Sequence, residues 1–332
     1  MEAKLEKFQF NSKNIKKLFD EYKRNTLTAY HYTSPNSFHA IINDGFVRFS
    51  DIRYMNDKSE TVYAVKVILD YLDEHPGEYP FVREALNVLI GKNNYSDIQT
   101  LRTTNITFNE INNFPYNQTR SFLFCLSTEK DSLNMWNYYV QNGRYEGFNI
   151  GFSLYDLIKT FDTNSEKEMD SFTVYYGKVI YKKDDHFEVV KNILNTIESM
   201  KHKAMDPKIP FAAILLRNEI ESKGLFIKHP EFSSEKEYRI VVNIAELRIP
   251  HSKEEAQKYF GENNKMIVED FCIKNGLIVP FLKVKVPPVS ISKVTISPIS
   301  EFDLASKSTI EFLKVKGFEK AEVVQSKLPI RF

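Results

Sequence analysis

The stretch SFLFCLS, residues 121–127, constrains the fold more than any other segment. It is almost continuously apolar and too short for a buried helix, so it reads as a strand covered on both faces, deep in a sheet. The surrounding chain must then supply flanking strands and covering helices. TAYHYT reads as a short strand, SPNSFHAIINDG as a helix closed by Gly45, and FVRFS as the next strand. EGFNIGFSL, FTVYYGKVIY, EKEYRIVVNI and ISKVTISP supply further strands, while SLNMWNYYVQ, residues 186–200 and SKSTIEFLKVKGF carry helical spacing. Helical periodicity broken by Asn-rich pieces fills much of the stretch between Thr61 and Arg120. The pattern predicts one α+β domain over residues 1–332, with a helical insertion at about 61–120.

Charge and composition narrow the functional classes. Lys and Arg number 45 against 44 Asp and Glu, so no global field draws the chain to nucleic acid or an anionic membrane. No apolar run approaches the roughly 20 residues that span a bilayer, and the first residues mix acids with bases rather than forming a signal peptide. Cys125 and Cys272 are too few for a disulfide scaffold. A cytoplasmic protein without membrane contact is the expectation.

Familiar catalytic signatures are missing from the sequence: it has no HExxH, no compact Cys/His cluster, no GxGxxG, no P-loop and no GxSxG elbow. No metal is expected. Three polar intrusions into strand-like segments remain. In YHYTS, alternation puts Tyr30 and Tyr32 on one face and His31 and Thr33 on the other, with Ser34 following. A strand histidine there either meets a ligand hydroxyl or satisfies a backbone carbonyl. Ser127 and Thr128 end the apolar strand, as turn residues or as pocket hydroxyls. In SSEKEYRIVV, Glu235, Glu237 and Arg239 share one face while Tyr238, Ile240 and Val242 take the other. Two carboxylates so close share a site or an ion-pair ladder, with Arg239 as the cation at hand.

These places, together with FHAIINDGFVRFSDIRYMND, MWNYY and LPIR, resemble a widespread bacterial family catalogued as a domain of unknown function. Its pattern runs H-Y-T, F-N-D-x-x-E, C-F-S, M-W-x-x-Y and E-K-E-W-R; Met55, Leu126 and Tyr238 are mild departures from it. More distantly, the order His-Tyr-Thr, Ser-Thr, Glu-x-Glu is similar to the ADP-ribosyltransferase superfamily, which includes DarT-like toxins. Glu129 stands where that superfamily has the final Ser of Ser-Thr-Ser.

The second resemblance implies a split β-sheet core and NAD as co-substrate. It implies that Glu237 is the catalytic glutamate, ionised and stabilising the charged ribose, that Glu235 orients or deprotonates the acceptor, and that His31 reaches the adenosine ribose. Tyr32, Thr33, Ser34, Ser127 and Thr128 would line the pocket, with Asn56 beside them. Tyr138 would join Tyr30, Tyr32 and Tyr54 as an aromatic wall, and Arg53 and Arg239 would meet the pyrophosphate. The acceptor would be a protein or nucleic acid, and a regulatory or antitoxin protein a further partner. Three alternatives stand beside this reading: a NAD glycohydrolase, a non-catalytic nucleotide or nucleic-acid binding module, and a Mg-dependent nuclease using Asp57, Glu60 and the Glu235/Glu237 pair.

Overall fold

A computed structural model of the chain describes residues 27–55, 59–90, 119–140, 145–161, 172–202, 209–260, 267–274 and 276–329. The described residues form two compact units, one from within 1–52, 122–177 and 234–332, the other from within 53–121 and 178–233. In chain order the strands are β1 (Thr28–Thr33), β2 (Phe46–Asp51), β3 (Thr119–Ser127), β4 (Phe148–Ser153), β5 (Phe172–Lys178), β6 (Glu237–Ala245), β7 (Ile267–Lys274), β8 (Leu277–Lys285), β9 (Ile291–Ile296) and β10 (Glu322–Gln325). The helices are α1 (Pro35–Asp44), α2 (Ser59–Glu74), α3 (Pro80–Ile90), α4 (Leu133–Tyr139), α5 (Leu154–Ile158), α6 (Lys183–Glu198), α7 (Ile209–Lys223), α8 (Lys253–Phe260) and α9 (Phe302–Val315).

The first unit is a mixed α and β fold with an open sheet. Its strands run in the order β10-β9-β4-β1-β3-β2-β8-β7, and β6 branches off to pair with β3 and β5. β3 is therefore the hub. Its end meets β1 at Tyr30↔Ser127, while Leu123 and Phe122 meet Ser50 and Asp51 of β2. This junction explains the apolar run: Phe122, Leu123, Phe124 and Leu126 are all buried. Phe122, Phe124 and Leu126 join Phe49, Ile150, Phe152, Tyr238, Ile240, Val242 and Ile244 in one core. Each such side chain contributes about 1.5–3 kcal/mol of burial.

Local chemistry sets the turns around this hub. Ser34 caps α1 by accepting from the Ser37 N–H at 3.2 Å, and Gly45, at φ 68°, closes the helix by donating to the Ile41 carbonyl. Gly147 leads into β4 at φ 156°, where a Cβ would lie 2.4 Å from the Thr33 carbonyl oxygen. Only glycine lets the chain pass the end of β1 this closely.

In the second unit α2, α3, α6 and α7 surround a core that includes Ile68, Leu72, Leu86, Val190, Ile193 and Leu216. These helices come from residues 59–90 and 183–223; residues 91–118, part of the expected insertion, lie outside the described residues. Among the described residues no helix is long and apolar enough to cross a membrane.

Candidate functional site

Where β3 ends, two short segments lock together. Ser127 Oγ donates to the Glu235 carbonyl at 2.7 Å and accepts from the Glu129 N–H at 3.1 Å. Thr128 donates to the Lys236 carbonyl from its N–H at 2.9 Å and from Oγ1 at 3.2 Å. Segments 108 residues apart are thus clasped by three hydrogen bonds. The clasp holds an uncommon backbone: Lys236 adopts φ 43°, a left-handed conformation costing a side-chain-bearing residue about 1–2 kcal/mol. Its ammonium reaches Glu129 Oε1 at 2.5 Å. Because of that left-handed residue, Glu235 ends a 3-10 turn (Pro230–Glu235) and Glu237 begins β6.

Glu235 and Glu237 are 8% and 5% exposed. Arg239, 1% exposed, places Nε and Nη2 at 2.9 and 2.6 Å from Glu237 Oε2. Desolvating such a pair costs several kcal/mol, so it does not by itself argue for stability. It fixes the orientation of the Glu237 carboxylate. Tyr238 and Ile240 point into the core, as the alternation in EKEYRIVV implies.

Tyr139, on α4, completes the cluster and was not foreseen from the sequence. Its hydroxyl hydrogen-bonds the Glu235 side chain. Burial pushes its pKa up, and the negative charges of Glu235 and Glu237 push it further, so it stays protonated and donates. Tyr139 as a whole remains 40% exposed. The MWNYY spacing carried a signal: Trp136 is fully buried, and a residue three positions on shares its side of a helix.

His31 borders this cluster without sharing its face. Register sets Ser127 opposite Tyr30, whereas His31 follows the alternation of the buried Ala29 and lies opposite the core residue Ile150. Its Nδ1–H donates to the Cys125 carbonyl at 3.1 Å, where β3 passes from β1 towards β2, and its ring lies 4.8 Å from that of Phe124. Burial lowers its pKa, with the Cys125 hydrogen bond opposing, so the ring is neutral and Nε2 is the accepting nitrogen.

The other residues singled out in the sequence are dispersed among several roles. Tyr32 is buried; its hydroxyl donates to the Glu129 carbonyl at 2.8 Å and accepts from the Ser132 N–H at 2.9 Å, and its ring meets Trp136 edge-on. These bonds leave it bracing the loop before α4 rather than stacking on a ligand. Thr33 is buried, and Ser34 is the α1 cap. Arg239, expected at a pyrophosphate, is instead committed to Glu237 because it is almost fully enclosed. Tyr138 is 70% exposed on α4 and Tyr30 is partly buried against the Tyr32–Trp136 cluster. Arg53 and Tyr54 are exposed in the second unit, with the guanidinium 5.7 Å from the Tyr54 ring. Asn56 and Asp57 lie outside the described residues.

A carboxylate secures the helix that carries Tyr139. Asp131 Oδ1 accepts from Trp136 Nε1 at 2.8 Å and from Ser326 Oγ at 2.7 Å, and Oδ2 accepts from the Lys327 N–H at 2.7 Å. Leu328 packs against the Tyr32, Met135 and Trp136 cluster.

A family model described as a protein of unknown function (DUF2971) matches residues 135–240, a span running from α4 into β6. That match supports the resemblance to a domain-of-unknown-function family. No curated protein and no solved structure matches the chain. The matched span contains Tyr139, Glu235, Glu237 and Arg239, while His31 and Ser127 lie before it. Among the described residues no group of three or more His, Cys, Asp or Glu is placed to hold a metal ion.

Proposed function

We propose that this chain is a NAD-consuming ADP-ribosyltransferase whose site is the Tyr139, Glu235 and Glu237 cluster. The observation that carries the reading is the clasp of Ser127 and Thr128 onto Glu235 and Lys236, which joins the second and third of the ordered polar segments beside two buried carboxylates. Breaking the bond between nicotinamide and ribose leaves both bonding electrons on the nicotinamide nitrogen and positive charge on the sugar, as in glycoside cleavage. Glu237, oriented by Arg239, stabilises that charge; comparable preorganised groups contribute about 2.7–4 kcal/mol. Glu235 takes the acceptor's proton as the acceptor attacks the ribose carbon, and the Tyr139 hydroxyl holds Glu235 in place. Nicotinamide leaves neutral, and the acceptor, a protein or nucleic acid, keeps the ADP-ribose. His31 stands outside the chemical step in this reading and supports Cys125 at the junction of β3 with β1. The resemblance to DarT-like proteins favours a toxin or phage-defence setting, with a neutralising protein as a further partner.

Purified protein incubated with NAD, alone and with cell extract, should release nicotinamide and label a macromolecule. Glu237→Gln should slow release at least about 100-fold, the equivalent of some 2.7 kcal/mol, while Trp136 fluorescence reports that the variant is folded. Release without label would assign water as the acceptor and make the chain a glycohydrolase. No release from the wild type under either condition would refute the reading.

A further inference from the structure

β7 is the last strand of the described sheet, and among the described residues its outer edge is covered only in part. The Glu269 N–H donates to the Pro250 carbonyl at 2.8 Å, which closes the beginning of the edge. Two residues on, the Phe271 N–H is taken at 2.8 Å by the carboxylate of its neighbour Asp270. Outward-pointing groups alternate along a strand, so Phe271 and Ile273 present their backbone to the edge while Asp270, Cys272 and Lys274 present theirs to β8. The same short stretch is unusually apolar on its surface. Phe271 is 56% exposed and Ile273 83%, and Ile278, paired with Ile273, is 73% exposed. Native edges are ordinarily blunted by charge, proline or a covering element; this one ends in bare Phe and Ile side chains.

The geometry points to this edge as a site for a second copy of the same chain, joined by antiparallel pairing of β7 with its symmetry mate about Cys272. Only registers that set outward-pointing residues against one another can form backbone hydrogen bonds, which limits the choice to Phe271 opposite Phe271, Phe271 opposite Ile273, or Ile273 opposite Ile273. Of these, Phe271 opposite Ile273 sets Asp270 opposite Lys274 on both sides of the two-fold axis. The neighbouring registers place those charges against Cys272 or other partners. The favoured register thus gives two apolar cross-strand pairs and two opposite-charge pairs at once, each of the kind that stabilises antiparallel strands. It also lets the Phe271 N–H exchange Asp270 Oδ1 for a strand carbonyl, leaving Oδ1 to Lys274 of the other copy while Oδ2 keeps its ion pair with Lys283 of β8. A two-fold contact of this type is self-complementary and closes at a dimer. Cys272 then lies opposite its own mate in a non-hydrogen-bonded pair, with Cα atoms about 4.5 Å apart, inside the range a disulfide spans.

Sedimentation velocity on the full chain over a micromolar concentration series tests this directly. The wild type should pass reversibly from monomer to dimer, and Ile273→Lys, a change at an exposed side chain that leaves the fold intact, should stay monomeric. Mild oxidation should yield a covalent dimer on a non-reducing gel that Cys125→Ser retains and Cys272→Ser loses. A wild type that is monomeric throughout would overturn the proposal. A dimer that Ile273→Lys leaves unchanged and Cys272 does not cross-link would overturn it equally.

Discussion

Replacing Ser127 by alanine removes one oxygen from the middle of the clasp. That oxygen is fully buried, donates to the Glu235 carbonyl and accepts from the Glu129 N–H. A buried polar group left without its partner costs about 1–3 kcal/mol, and of the two bonds the one to the Glu235 carbonyl is the buried one, so the expected loss of stability is about 1–3 kcal/mol. Thr128→Val is the matched control, because the Lys236 carbonyl that loses Oγ1 keeps the Thr128 N–H. Its expected cost is about 0.5 kcal/mol, the low end for a single net hydrogen bond. Urea unfolding followed by fluorescence reads the first unit selectively, since Trp136 is the sole tryptophan, is fully buried and lies next to the clasp. A Ser127→Ala loss below about 1 kcal/mol, or an equal loss in the Thr128→Val control, would refute the assignment of the clasp to the Ser127 hydroxyl.

Two more outcomes follow from the same cluster and its border. Arg239→Met leaves the Glu237 carboxylate buried without its cation and should cost about 3–5 kcal/mol in urea unfolding. Adding Glu237→Leu should recover most of that loss, and failure to recover it would show that the pair is not the source. His31 has its folded pKa lowered by burial, so it favours the native state above the ordinary histidine pKa of about 6.5 and withdraws that support as pH falls below it. Unfolding free energies from urea titrations between pH 7 and pH 5 should therefore fall less steeply for His31→Gln than for the wild type, by up to about 1.4 kcal/mol per pH unit. An unchanged slope would remove His31 from the acid response.

The sequence was most informative where periodicity decides the outcome. SFLFCLS announced a central strand because its composition leaves no solvent-facing side, and EKEYRIVV announced which side chains enter the core because strand alternation is strict. Ser34 and Gly45 could be read because caps are local chemistry. What stayed hidden depends on encounters between distant segments. Nothing near Lys236 signals a left-handed residue, since the bonds that hold it there come from Thr128, 108 positions away. His31 and Tyr32 were legible as polar residues in a strand, but whether each meets a ligand or a carbonyl depends on where β3 separates from β1. Arg239 was correctly paired by type and spacing with an acid on its own strand face, while its enclosure, which keeps it from a pyrophosphate, comes from the surrounding sheet.

The Asp131 carboxylate gathers the Trp136 indole, the Ser326 hydroxyl and the Lys327 amide at one point. Residues 326–328 are therefore a tether on α4, joining the segment after β10 to the Trp136 side of that helix. The segment after β10 thus bears on the same short helix that presents the Tyr139 hydroxyl to Glu235, so the position of that hydroxyl is fixed from two distant parts of the chain.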